Sequence, residues 1–137
     1  MPTSLTRVVR FHATHRMWVA EWGEARNREV FGGLTEPHGH DYECTVTVSG
    51  PIDAFGMIVD LSLLDRILKE EVQTPLEGAR LDWDVPTFRD GRPLPTCEAL
   101  ATLLFTRIAL RLPQGVRLDR VRVAEDPTLY AECAGLD

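Results

Sequence analysis

No apolar run in this 137-residue chain approaches the roughly 20 residues that a bilayer-spanning helix requires. The opening residues, Met1-Pro2-Thr3-Ser4-Leu5-Thr6-Arg7, lack the basic-then-apolar order of a secretory leader. Cysteine is scarce as well. Cys44, Cys97 and Cys133 are odd in number, widely spaced and without a C-x-x-C pair, which argues against a disulfide framework and for reduced thiols. A cytoplasmic location is therefore expected. A surplus of basic residues is also missing: the formal charge is −6, the wrong sign for a nucleic-acid backbone as partner. A small anionic substrate stays compatible with that charge, because a few local arginines or a metal can outweigh the global sign.

What is present reads as one compact domain over residues 1–137, with 44% hydrophobic and 26% charged residues. Alternation predicts a strand over Thr6–Met17, with Phe11, Ala13 and His15 on one face and His12, Thr14 and Arg16 on the other. Residues Trp18–Pro37 lose periodicity and are expected to be irregular. A clear strand follows over His38–Ser49, with Tyr42, Cys44, Val46 and Val48 on its apolar face. Met57-Ile58-Val59 reads as a short apolar strand. The spacing of Leu64, Ile67, Leu68 and Val72 predicts a helix over Leu61–Thr74, with Ser62 and Asp65 as a capping box and Pro75 as its stop. After a Pro- and Gly-punctuated connection, Leu100, Leu104, Ile108 and Leu112 mark a helix over Cys97–Leu112 with Thr96 as N-cap. Two strands, Arg117–Glu125 and Leu129–Ala134, complete an α+β pattern: an antiparallel sheet with two helices on one face.

Three imidazoles fit this frame as a metal site. His38-Gly39-His40 places two of them at i and i+2, on one strand face that continues as an apolar row. His15 ends the inward row of the first strand. Three neutral imidazoles with an open fourth position suit a catalytic Zn2+ and disfavour calcium or magnesium, which prefer oxygen. Against this stands the plain alternative of core histidines satisfied by packing.

The wording around these residues is more specific. Phe11-His12-Ala13-Thr14-His15-Arg16 resembles the F-x-A-A-H-R opening of the 6-pyruvoyl/6-carboxy-tetrahydropterin synthase family, and His38-Gly39-His40-Asp41-Tyr42 resembles its H-G-H-N-Y signature. Gly56-Met57-Ile58-Val59-Asp60-Leu61 is similar to its turn into the first helix. Pro95-Thr96-Cys97-Glu98-Ala99-Leu100-Ala101 is similar to its P-T-x-E-x-L-A helix start. The resemblance runs in order from about Arg10 to Glu125. It implies a tunnelling fold (T-fold), with strands joined into a barrel across the copies of a homo-oligomer, a trimer or hexamer, and with active sites between subunits. It also implies one zinc held by His15, His38 and His40, and a pterin gripped by Glu125 with Thr96 and Glu98 nearby. Val121, Val123 and Glu125 share a strand face, in keeping with a carboxylate at the end of a buried row.

The chain departs from the family pattern at two places. Leu34 stands where a catalytic cysteine precedes H-G-H. The Asp-His pair of an L-D-H segment falls on Leu76-Glu77-Gly78, or in another register on Leu81-Asp82-Trp83, and neither holds histidine. Glu36 and Cys97 are the candidate replacements, Glu36 as a base and Cys97 from a neighbouring subunit. The function implied is a zinc-dependent lyase acting on 7,8-dihydroneopterin triphosphate or a related pterin. The 6-carboxy branch, which leads to deazapurines and queuosine, is expected over the 6-pyruvoyl branch. A pterin aldolase using Glu36 as base, or a pterin-binding homologue without turnover, are the alternatives.

Overall fold

The computed structural model describes residues 3–135. Strand β1 (Thr3–His15) pairs antiparallel with β2 (His38–Gly50) in one unbroken register, from Thr3 opposite Gly50 to His15 opposite His38. Strands β3 (Arg117–Asp126) and β4 (Leu129–Cys133) extend the sheet in the order β1-β2-β3-β4. Period-2 alternation puts Phe11, Ala13, Tyr42, Cys44, Val46, Val121 and Val123 on one fully buried face. Against it pack Leu64, Ile67, Leu68 and Val72 from the first long helical run, and Leu100, Leu104 and Ile108 from the second. Burying each such aliphatic side chain stabilises the fold by about 1.5–3 kcal/mol, so this face sets the register of the whole sheet.

The α+β architecture follows the expected pattern, while several local features differ from it. The segment expected to be irregular contains helix α1 (Glu24–Phe31) and a 3-10 turn (Gly32–Thr35). Helix α1 has no apolar stripe. Buried Asn27 anchors it instead, accepting from Val19 N–H at 2.8 Å and donating to Val19 O at 3.0 Å. Met57-Ile58-Val59 is not a strand but part of a loop, organised by Asp53 Oδ1 accepting from Phe55 N–H and Met57 N–H. Helix α2 (Leu61–Leu68) is capped by Asp60, which accepts from Ser62 N–H at 3.0 Å. Asp65 pairs with Arg7 rather than closing a capping box. The helical path continues past the expected stop, through a π turn (Lys69–Gln73) into α3 (Thr74–Leu76), since Pro75 sits in the first turn of α3, where no N–H is needed. A short α4 (Leu81–Asp84) follows, then α5 (Cys97–Ala109), capped by Thr96 accepting from Ala99 N–H at 3.2 Å.

Candidate metal centre

The β1–β2 register determines the site. It sets His15 opposite His38 and Ala13 opposite His40, so three imidazoles meet at one end of the inner sheet face. Their ring centroids form a near-equilateral triangle with sides of 4.6, 5.1 and 5.2 Å, all edge-on. One nitrogen from each ring lies within 4.8 Å of the other two, and this is the candidate metal cluster among the described residues. His15 is 1% exposed, and its neighbours are partly buried.

Hydrogen bonds orient two of the rings. His15 Nδ1–H donates to Pro95 O at 2.9 Å, with Tyr42 Oη a longer contact at 3.3 Å. His38 Nδ1–H donates to Glu36 O at 2.8 Å. A tethered Nδ1–H leaves Nε2 as the lone-pair nitrogen, the tautomer that metal ligation uses. Burial lowers the His15 pKa below its usual value. The Pro95 carbonyl opposes this shift and the two neighbouring imidazoles add to it, so His15 is neutral near pH 7. His15 Nε2 and His40 Nε2 are buried without a hydrogen-bond partner. His40 Nε2 does come within 2.9 Å of Glu125 Oε2, but the approach is not aligned as a hydrogen bond. Orphaned, convergent nitrogens are expensive in a protein interior unless something accepts their lone pairs. The donor set therefore fits a borderline-soft divalent ion such as zinc in a three-histidine site with one open position.

The other expected residues distribute around this triangle. Glu125 borders it, with its side chain 14% exposed and Oε1 accepting from Cys97 Sγ–H at 3.5 Å. Burial, reinforced by the Glu125 carboxylate, pushes the Cys97 thiol up to about 12, which keeps it protonated at neutral pH. Thr96 uses its hydroxyl as the α5 cap, and Glu98 is exposed on the first turn of that helix. Glu36 supplies its backbone carbonyl to His38, while its carboxylate is exposed and pairs with Arg28 Nη1 at 3.1 Å. Tyr42 and the Pro95 carbonyl, which help to orient His15, are not singled out by sequence pattern. Tyr42 reads there as one more apolar-row residue, and a backbone carbonyl leaves no signature.

A separate cavity of about 390 Å³ is lined by Arg16, Arg80, Arg89, Trp18, Trp83 and Asp82 among others. Arg16 lies over the Trp18 ring at 4.4 Å, and Arg80 Nε donates to Asp82 Oδ2 at 2.9 Å. Asp82 Oδ1 is buried without a partner.

Known proteins resemble this chain in sequence and fold. The sequence profile of 6-pyruvoyl tetrahydropterin synthase matches residues 4–135. The chain is 36% identical over 124 residues to the human 6-pyruvoyl tetrahydrobiopterin synthase, covering 88% of this chain and 83% of that protein. It is 30% identical over 95 residues to a putative 6-carboxy-5,6,7,8-tetrahydropterin synthase of Archaeoglobus fulgidus, covering 69% and 73%. The solved structure of the Caenorhabditis elegans 6-pyruvoyl tetrahydropterin synthase superposes with a TM-score of 0.88 at 27% identity, over 99% of this chain and 97% of that one. The unbroken β1–β2 register, the histidine triangle at its end and a profile match over nearly the whole length agree: the chain is a T-fold protein and belongs to the 6-pyruvoyl tetrahydropterin synthase family.

Proposed function

We propose that the protein is a zinc-dependent lyase of pterin metabolism, acting on 7,8-dihydroneopterin triphosphate or a close relative. The observation that carries this reading is the histidine triangle, with its tethered tautomers and orphaned nitrogens, beside the half-sequestered carboxylate of Glu125. When bound there, zinc supplies a Lewis acid for oxygen atoms of the substrate side chain. Glu125 would receive the paired N–H donors of the amino-pyrimidine edge, with Cys97 Sγ–H holding its second oxygen in place. Thr96 and Glu98 sit at the α5 start next to Cys97, where they can border the same ligand.

The cavity that starts at Arg16, the residue after His15 in sequence, has a lining that suits an anionic group of such a substrate. Three arginines face one aspartate in its lining, a local positive excess in an acidic protein. Assembly as a homo-oligomer, a trimer or hexamer with sites between subunits, fits a four-stranded sheet with β1 and β4 at its edges, β1 being covered by residues 73–79 only along Arg10–Thr14. On the product, 36% identity to a 6-pyruvoyl relative against 30% to a 6-carboxy one favours the 6-pyruvoyl branch over the 6-carboxy branch expected from sequence.

Glu36 as base of an aldolase-type reaction needs its Arg28 pair to open, because its carboxylate is otherwise occupied and exposed. Incubating zinc-loaded protein with 7,8-dihydroneopterin triphosphate and identifying products by mass tests these readings. A side-chain-modified tetrahydropterin supports the lyase. Side-chain loss abolished by Glu36→Gln, with zinc retained, supports the aldolase. Pterin binding without any product rules out both enzymes and leaves a binding homologue.

A further inference from the structure

The cavity lined by three arginines stands apart from the metal centre, since none of the three histidines, Glu125 or Cys97 lines it. Three segments build its walls. Arg16 and Trp18 come from the chain leaving β1, Arg80 and Trp83 from the start of α4, and Arg89 from the turn that follows. Backbone contacts lock these segments together. Thr14 N–H donates to Ala79 O at 2.9 Å, and Ala20 N–H donates to Asp90 O at 3.0 Å. Gly91, at φ +75°, lies so close to the Trp18 carbonyl that no side chain would fit there. The walls are therefore in place before a ligand arrives, which lowers the cost of binding.

Each arginine is pinned by its own contact. Arg80 Nε and Nη2 both lie 2.9 Å from Asp82 Oδ2. Arg89 Nε donates to Trp83 O at 2.7 Å. Arg16 lies over the Trp18 ring, with its Nε 3.9 Å from Asp82 Oδ2. Among the described residues, the terminal nitrogens of Arg16 and Arg89 have no hydrogen-bond partner. A guanidinium held by Nε or by its face keeps its paired Nη–H groups free, the arrangement that recognises phosphate oxygens. One aspartate against three guanidiniums leaves the lining positive in a chain of net charge −6.

Trp83 adds a second requirement. It lines the same cavity and is 62% exposed. An exposed indole beside unpaired guanidiniums is a stacking platform for a planar ring. The acidic chain argues against a nucleic-acid strand, and a volume of about 390 Å³ suits one small molecule.

We propose that this cavity binds a polyphosphate chain carried on a planar heterocycle, with Arg16, Arg80 and Arg89 on the phosphate oxygens and the ring on Trp83. Occupancy requires neither zinc nor the histidine triangle, so the site is additional to the pterin site proposed above. A nucleoside triphosphate and a second molecule of a phosphorylated pterin share this chemistry.

Calorimetric titration with ATP in magnesium-free buffer tests the site, because adenine lacks the paired N–H edge that Glu125 would take. Zinc-loaded and metal-free wild-type protein should each bind one ATP per chain, with quenched tryptophan fluorescence. Tripolyphosphate should compete without quenching, and adenosine alone should not bind measurably. Arg80→Gln and Arg89→Gln should each weaken both phosphate ligands about 10-fold, with unchanged urea midpoints showing that the variants fold. Trp83→Leu should weaken ATP about 10-fold and leave tripolyphosphate unaffected. In metal-free protein, 7,8-dihydroneopterin triphosphate binding that is tighter than ATP and weakened by Arg89→Gln identifies a pterin as the occupant. Weaker binding than ATP identifies a nucleotide, and either result bears the site out. No ATP binding, binding that needs zinc, or affinity unchanged in both arginine variants overturns it. ATP binding without any pterin product overturns only the lyase reading, and pterin turnover without ATP binding overturns only this site.

Discussion

The two faces of the β1–β2 end surround the same residue type with opposite environments. On the inner face His15, His38 and His40 are wholly or partly buried, and two of them are tethered through Nδ1 to backbone carbonyls. On the outer face His12 is half exposed and tethered through Nδ1 to a carboxylate. A backbone carbonyl fixes the tautomer that leaves Nε2 free for metal, and at His15 burial outweighs the Pro95 carbonyl and keeps the ring neutral. A carboxylate fixes the same tautomer, here on a ring that solvent reaches. Which face a histidine occupies, set by strand alternation, thus decides its burial and its partners.

The largest expected effect separates the faces outright. His38→Ala should lower zinc affinity by more than about 100-fold, whereas His12→Ala should leave it unchanged; metal analysis after equilibrium dialysis reads both. Zinc that stays stoichiometric in His38→Ala would break the division. Gly39→Ala links the faces. Its Cβ crowds the His12 ring, so the His12–Asp41 bond should be lost while zinc is retained, at a stability cost of about 1 kcal/mol in urea unfolding.

A pH series sharpens the inner side of the comparison. Burial lowers the His15 pKa below 6.5 in the folded state, so the unfolded protein takes up that proton first. Stability of the metal-free protein is therefore complete above about pH 6.5 and declines as the pH falls toward the lowered folded value. His12→Ala should show the same decline; urea midpoints across that range check it. The smallest effect concerns thiols. Cys97, held protonated and buried, should react with iodoacetamide at neutral pH far more slowly than partly exposed Cys133, as peptide mass mapping would show.

Much of this is readable from the residues, for identifiable reasons. Strict alternation around Phe11 and along Tyr42 to Val48 marks strands because one face is buried without exception. The same alternation points His15, His38 and His40 inward. Helix α1 leaves no such signal because Asn27, a single polar side chain bonded to backbone, does the anchoring that an apolar stripe does elsewhere. Asp60 and Asp53 do not stand out because Asx caps compete with several neighbouring polar residues, and only coordinates show which oxygen meets which N–H. The His12–Asp41 pair is out of reach for a different reason. Residues 29 positions apart become partners only once the register of two strands is known.

Everything proposed for the inner face depends on a zinc ion held by three imidazoles with an open position. X-ray absorption of the zinc-loaded protein tests this most directly. Three histidine nitrogens at about 2.0–2.1 Å and one further light-atom ligand, at one zinc per protein molecule, are the expected result. A sulfur scatterer near about 2.3 Å, or fewer than three imidazoles, would contradict it.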